Sequence, residues 1–283
     1  MPLTTAVDTA EPISGLDMGP TIAWYHNNQG ALEGRIRDLF RANEGNMPAT
    51  FPDMEGLDED TVRLVRGVLS LFPESARNRS IARSIQANPP LWFHKDSATV
   101  SPRPTPNRDE SLSDTAIIPS YIAYDRGSGD RLYAIIHLYD IPAVEGMSDK
   151  MRTIILTEGL IHELAHSIAI ELAYAEGYAL QIGSEAMSGS DVLQTFVDLT
   201  EKKKPISHYS SSYRTESGGY PDPWEDFEKW IVAVGEELAE TVAAYLLGFV
   251  FCEDESRRLA PFNRENAFVR DFIRLFLEAS RIS

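Results

Sequence analysis

The sequence predicts a mostly helical α+β protein in which a small antiparallel sheet lies beside one buried helix. Apolar residues recur at helical spacing in several long segments, but the spacing changes to every second residue between residues 117 and 140. The helical segment that follows is apolar on nearly all sides, which is typical of a helix inside a core. With 283 residues, 43% of them hydrophobic, the chain is long enough for one large domain or two small ones.

The N-terminal part is predicted to be a mobile segment followed by packing helices. Residues 1–20 are rich in Thr, Ala, Pro and Gly, a composition typical of a mobile end. Residues 21–110 form a helical part that we expect to pack with residues 111–283 as one compact unit. The predicted helices of this part cover residues 31–42, 58–72 and 74–86.

A β-hairpin is predicted directly before the buried helix. Residues 117–124 and 131–140 are β-branched and aromatic, and residues 125–130 between them have the composition of a turn. These two strands are the small antiparallel sheet of the predicted fold.

The buried helix, predicted between residues 152 and 177, contains an HExxH pattern formed by His162, Glu163 and His166. Residues four apart share one face of a helix, so the two imidazoles can bind one Zn²⁺. Glu163 points to the neighbouring face, where it can take a proton from a zinc-bound water. The pattern therefore predicts a catalytic zinc site.

The alternative is that the pattern arises by chance and that the two histidines are ordinary core residues. Three polar side chains in the middle of an apolar helix argue against this alternative. Burying them without partners would cost several kcal/mol. A metal ion satisfies all three together, so we favour the zinc site.

Three helices are predicted after this one, together with a polar loop. Residues 190–204 form a short helix that ends before Pro205, and residues 207–220 form a loop rich in tyrosine. Asp222 is predicted to cap the next helix, with proline and glutamate in its first turn. The last helix covers residues 263–280 and has an amphipathic stripe.

A catalytic zinc site needs a third protein ligand. The pattern HExxHxxGxxH is excluded because residue 172, where it needs histidine, is Leu172. Glu236 is the predicted third ligand, and Glu240, on the same helix face, is predicted to hydrogen-bond a zinc-binding histidine. Glu225 and Glu237 are the alternative third ligands. A solvated acidic helix face is the competing interpretation of these glutamates.

The two motifs together resemble those of the gluzincin metallopeptidases. His162–His166 followed by Glu236-x-x-Ala239-Glu240 is similar to the group containing anthrax lethal factor and the bacterial Pro-Pro endopeptidases. The resemblance implies a zincin-like metallopeptidase fold for residues 111–283. In that group a tyrosine shortly before the third ligand stabilises the oxyanion; residue 229 is lysine here, and Tyr213 is the tyrosine we assign to this role.

Composition restricts the partners and the compartment. The net charge of −17 argues against nucleic acid as a partner, and no apolar run approaches the length of a membrane span. The single cysteine, Cys252, excludes an internal disulfide framework. Residues 1–20 carry no secretory signal, so we predict a cytoplasmic protein, with export as an effector without a signal peptide left open.

The predicted function is that of a zinc metalloendopeptidase acting on a peptide or protein substrate. Glu163 is the general base, and strand 131–140 is expected to offer its edge to the extended substrate. One alternative is a zinc enzyme of the same fold that acts on a small molecule. The other is a non-catalytic, zinc-stabilised interaction protein in which His137 or His208 fills the fourth metal position.

Overall fold

The computed structural model describes residues 18–46, 53–72, 84–88, 120–126, 132–139, 148–174, 179–182, 185–206, 210–211, 213–248 and 267–278. The described part is mostly helical, as predicted. Its helices are α1 (Met18–Asn43), α2 (Glu59–Leu69), α3 (Asp149–Tyr174), α4 (Gly189–Thr200), α5 (Phe227–Leu247) and α6 (Ala267–Glu278). Its strands are β1 (Asp53–Glu55), β2 (Ser84–Asn88), β3 (Ser120–Arg126), β4 (Leu132–Tyr139), β5 (Ala179–Ile182) and β6 (Glu185–Ser188). No helix in these residues has the length and apolarity of a membrane span.

The main sheet is mixed, and the predicted small antiparallel sheet is only one part of it. The predicted hairpin exists as β3 and β4, which pair antiparallel with Ile122 opposite Ile136. However, β1 and β2 extend the sheet in parallel, in the order β1-β2-β4-β3. Because β4 is paired on both sides, it cannot offer its edge to a substrate. Among the described strands, β1 and β3 are the outer strands of this sheet.

The helix predicted for residues 74–86 is wrong at its C-terminal end, where residues 84–86 belong to strand β2. Residues 84–86 pair with β4 residues 135–137 instead of forming a helical turn. Pairing with a neighbouring strand satisfies the main-chain groups of this short segment and outweighs its weak helical pattern. Residues 74–83 lie outside the described residues. This pairing also joins the N-terminal part of the chain to the hairpin.

The two N-terminal helices differ from their predicted bounds mainly at their ends. Helix α1 contains the predicted helix 31–42 and already begins at Met18, so residues 18–20 are helical; residues 1–17 lie outside the described residues. Asp58 caps α2 by accepting a hydrogen bond from the amide of Thr61 at 2.7 Å. Helix α2 ends at Leu69, and a turn follows it to Phe72.

Helix α3 is the centre of the fold. Its start is stabilised by Ser148, whose hydroxyl accepts a hydrogen bond from the amide of Met151 at 3.2 Å. The helix packs against α1, α2, α4, α5, β3 and β4. Its fully buried apolar residues include Ile154, Leu160, Ile161 and Leu164. The HExxH segment is therefore surrounded by protein on most sides.

Helix α4 begins at Gly189, one residue before the predicted start at residue 190. Ser188 is the N-cap and accepts from the amide of Asp191 at 3.2 Å. A Cβ atom on Gly189 would lie 2.2 Å from the main-chain oxygen of Leu172. Glycine at this position lets α4 start directly against α3. The described helix ends at Thr200, before the predicted end at residue 204.

Helix α5 begins at Phe227, so the predicted start at Asp222 is wrong. The N-cap is Asp226, which accepts from the amide of Lys229 at 3.0 Å. Asp222 closes a separate turn, in which its side chain accepts from the amide of Trp224 at 2.8 Å. Both aspartates carry the local signal of a cap, and only the second leads into the helix.

The C-terminal half of the described chain adds a short hairpin and one amphipathic helix. Strands β5 and β6 pair antiparallel, a hairpin that the sequence did not predict. Helix α6 lies within the predicted helix 263–280, of which residues 263–266 and 279–280 lie outside the described residues. Its buried residues Phe272, Ile273 and Phe276 face the core. It packs against α4 and α5 and so covers part of the core formed by these helices.

Candidate metal centre

The site is built where α3 and α5 lie side by side, and small residues bring the two helices together. A Cβ atom on Gly235 would lie 3.2 Å from Nδ1 of His166 and 3.9 Å from Cβ of Ala169. Ala239, one turn later on α5, is completely buried. Because these positions carry little or no side chain, longer side chains beside them can reach across to α3.

Three side chains from these helices converge. Nε2 of His162 and Nε2 of His166 are 2.9 Å apart, and Oε2 of Glu236 lies 3.3 Å from the first and 3.1 Å from the second. Among the described residues, these three form the group whose donor atoms could hold a metal ion. The structure thus brings together both histidines of the HExxH pattern and the glutamate predicted as third ligand.

The geometry of this group fits a divalent cation. Ligand atoms about 2.0–2.1 Å from a tetrahedral zinc ion lie about 3.3–3.4 Å from one another. The triangle formed by His162, His166 and Glu236 is slightly tighter than this. Both carboxylate oxygens of Glu236 are buried without hydrogen-bond geometry to any described residue. A buried carboxylate in that state is costly, and a cation beside it removes the cost. Two imidazoles and one carboxylate are also a known zinc ligand set.

The charges of the metal-free group are strongly coupled. Burial alone would raise the pKa of Glu236, but His166 and His162 lower this pKa to about 2. Burial would likewise lower the pKa of His162, but the adjacent carboxylates of Glu236 and Glu240 raise this pKa well above 6.5. These contacts favour the charged form of His162 when no metal is bound.

Glu240 lies behind His162, in the place that its predicted role requires. Its Oε1 atom is 3.3 Å from Nδ1 of His162, while Nε2 of the same ring faces Glu236. An acceptor at Nδ1 holds the proton on that nitrogen and orients the ring with Nε2 toward the centre of the group. The side chain of Glu240 is 17% exposed, so this contact is shielded from most of the solvent.

Glu163 is buried beside the ligand group, with 9% of its surface exposed. It follows His162 directly on α3, and its negative charge is one of the causes of the raised pKa of His162. Glu163 is therefore a buried acid directly next to one of the converging histidines on α3.

No protein-family model, curated protein or solved structure matches this chain. The relationship to the gluzincins, and the zincin-like fold that it implies, therefore stay predictions from two short motifs.

The two alternative third ligands lie elsewhere. Glu237 points away from the histidines and binds Arg214, whose Nε donates to its Oε2 at 2.8 Å. Glu225 is exposed in the turn before α5 and is not part of that helix, because the helix begins at Phe227. The structure therefore brings neither of them to His162 and His166.

The predicted oxyanion residue and the alternative fourth ligands lie on other segments of the chain. The ring of Tyr213 is partly buried against the apolar core, and its role at the site stays a prediction. His137 lies in β4 opposite Tyr121. His208 lies outside the described residues.

Sequence reasoning missed two residues near the site, Glu158 and Tyr25. The hydroxyl of Tyr25, on α1, donates a 2.5 Å hydrogen bond to Oε2 of Glu158, on α3. Burial and the nearby charge of Glu240 raise the pKa of Glu158 to about 8, against the opposite effect of His162. Glu158 is four residues before His162 and so shares its helix face, a signal that could have identified it. No local signal points to Tyr25.

Proposed function

We propose that the protein is a zinc-dependent metalloendopeptidase with one Zn²⁺ held by His162, His166 and Glu236. The convergence of these three donor atoms within 3.3 Å of one another supports this proposal most directly. The buried position of Glu163 beside the group supports a catalytic role over a structural one, because a structural zinc site has no use for a base there. A zincin-like fold is part of the proposal.

Zinc held by three protein ligands supplies Lewis-acid chemistry, acidifying water and polarising a substrate carbonyl. Glu163 takes one proton from the attacking water as its oxygen bonds to the carbonyl carbon. It then delivers that proton to the leaving nitrogen as the carbon–nitrogen bond breaks. The oxygen of the water becomes part of the product carboxylate, and the transferred proton becomes part of the product amine.

The other residues of the site orient the reacting groups. Glu240 fixes the ring of His162 through Nδ1, so Nε2 stays directed at the centre of the group. Tyr213 is the proposed hydrogen-bond donor to the oxyanion. An extended peptide would pair with β3, because β3 is an outer strand among the described strands of the sheet and packs against α3.

The test combines metal analysis with cleavage of a mixed library of quenched fluorescent peptides. Wild-type protein should contain one zinc ion per chain and cleave members of the library. Glu163→Gln should keep the zinc and lose about 10²–10⁴-fold in cleavage rate, the range expected for a general base. His162→Ala should lose both zinc and cleavage.

Two outcomes would contradict the proposal in different ways. A Glu163→Gln protein that cleaves at the wild-type rate would remove Glu163 as the base. A wild-type protein that binds zinc and cleaves no peptide would favour the small-molecule enzyme or the non-catalytic zinc protein.

A further inference from the structure

Two adjacent glutamates of α5 are both buried, yet they have different partners. Glu236 is fully buried against His162 and His166, while Glu237, 2% exposed, binds Arg214. Consecutive residues lie about 100° apart around a helix, so a rotation of α5 by that angle would exchange the two carboxylates. The metal centre therefore depends on what fixes the rotation of α5.

Arg214 makes the contacts that such a role needs. The side chains of Arg214 and Glu237 are 1% and 3% exposed, and both Nε and a terminal nitrogen of the guanidinium donate to Oε2 of Glu237. This forked contact to one carboxylate restricts both position and angle. The other acceptors for the guanidinium are the main-chain oxygens of Thr200, Glu201 and Gly218 and the hydroxyl of Tyr220. The guanidinium thereby links α5 to the end of α4 and to the loop before α5.

Tyr220 holds the guanidinium in place from the other side. Its ring centroid is 4.1 Å from the guanidinium carbon of Arg214. Because a guanidinium can only donate, the Tyr220 hydroxyl accepts from it and is free to donate to Oγ1 of Thr200 at 2.7 Å. Thr200 in turn donates to the main-chain oxygen of Phe196 at 2.8 Å. Every member of this chain has a partner, which makes the arrangement rigid.

We propose that Arg214 is a positioning residue of the metal centre. By binding Glu237 it keeps this carboxylate from competing for the ion. A competing Glu237 would rotate α5 and turn Glu236 away from the two histidines. The side chain of Glu237 is only 3% exposed, so its carboxylate depends on Arg214 for charge compensation. Without Arg214, the divalent ion held by the preceding Glu236 would be an alternative partner for the carboxylate of Glu237. This role rests on the proposed zinc centre.

The experiment uses Co²⁺ in place of zinc, because its visible absorption reports the ligand set directly. Binding affinity, the visible spectrum and Tm are measured for wild type, Arg214→Gln, and the double variant Arg214→Gln/Glu237→Gln. Arg63→Gln is the matched control, since Arg63 also pairs with an acid but is exposed. Arg214→Gln should weaken Co²⁺ binding about tenfold or more and change the spectrum. The double variant should regain the wild-type spectrum and bind Co²⁺ within about threefold of wild type, because the competing carboxylate is gone.

The outcomes separate positioning from simple stabilisation. If Arg214→Gln lowers Tm but keeps the wild-type spectrum and affinity, Arg214 is only structural and the proposal is wrong. If Arg214→Gln does not fold, the double variant decides: a folded double variant that has lost Co²⁺ binding overturns the proposal. A wild-type protein that binds no Co²⁺ or zinc overturns the metal centre itself, and this role with it.

Discussion

Gly235 and His166 approach so closely that a Cβ atom at position 235 would lie 3.2 Å from Nδ1 of the histidine. This separation is shorter than ordinary van der Waals contact, so any side chain at 235 would displace the imidazole or push the two helices apart. Gly235 immediately precedes Glu236 on α5. The residue that permits the close approach is therefore next to the residue that uses it.

We predict that Gly235→Ala weakens zinc binding about tenfold, because His166 must move by a few tenths of an ångström to accommodate the methyl group. The measurement is zinc affinity by competition with a chromophoric chelator. Gly30→Ala is the matched control: it also lies in a helix, and nothing is within 4 Å of its added Cβ. The control should keep wild-type affinity. Equal affinity of Gly235→Ala and wild type would show that α5 does not press on His166.

We predict that zinc binding releases a proton and strengthens as pH rises. In the metal-free protein, Glu236 and Glu240 raise the pKa of His162 well above 6.5, so a proton must leave before Nε2 can bind zinc. Calorimetric titrations near pH 7 in buffers of different ionisation enthalpy should show about one proton released per zinc ion. His26→Gln, at an exposed position of α1, should release the same number. A zinc affinity that is constant from about pH 6 to pH 8 would contradict this prediction.

We predict that Glu240→Gln weakens zinc binding by about 10–100-fold, the usual effect of removing the partner of a metal-binding histidine. The amide can still accept from Nδ1 of His162 but lacks the charge that makes the ring a stronger ligand. Glu228→Gln, exposed on the first turn of the same helix, is the control and should bind zinc as wild type does. Loss of zinc in both variants would point to a general effect on α5 instead of a contact with His162.

The sequence predicted the α3 half of the site because that half is local. The spacing of His162 and His166 alone places them on one helix face. The third ligand is different, since Glu225, Glu236 and Glu237 all satisfy the local pattern. Which of them faces the histidines depends on where α5 begins and how it is rotated. Those features are set by contacts across the fold and not by neighbouring residues.

The fold shows the same division between local and long-range information. The helices and the hairpin of β3 and β4 follow from local periodicity and turn composition. The parallel pairing of β2 with β4 joins residues 84–88 to residues 135–139, and no local signal specifies such a partner. The contact of Tyr25 with Glu158 is also long-range. Helix α1, which the sequence suggested was an ordinary packing helix, therefore reaches the surroundings of the site through Tyr25.

We predict that Glu158 makes the metal-free protein less stable as pH rises from about 4.5 to about 8. The pKa of its carboxyl is raised from 4.5 to about 8 in the folded state, first by burial and then by Glu240. Between these values the folded protein holds a proton that the unfolded chain has lost, so the contribution of Glu158 to stability falls with pH across this range. Glu158→Gln should therefore flatten the fall of Tm with pH in protein stripped of metal. Glu225→Gln removes the same charge at an exposed position and should leave the wild-type slope unchanged. The prediction is wrong if Tm falls equally steeply with pH in wild type and in both variants. The carboxyl of Glu158 would then be ionised in the folded protein and would accept the hydrogen bond from Tyr25 as a carboxylate.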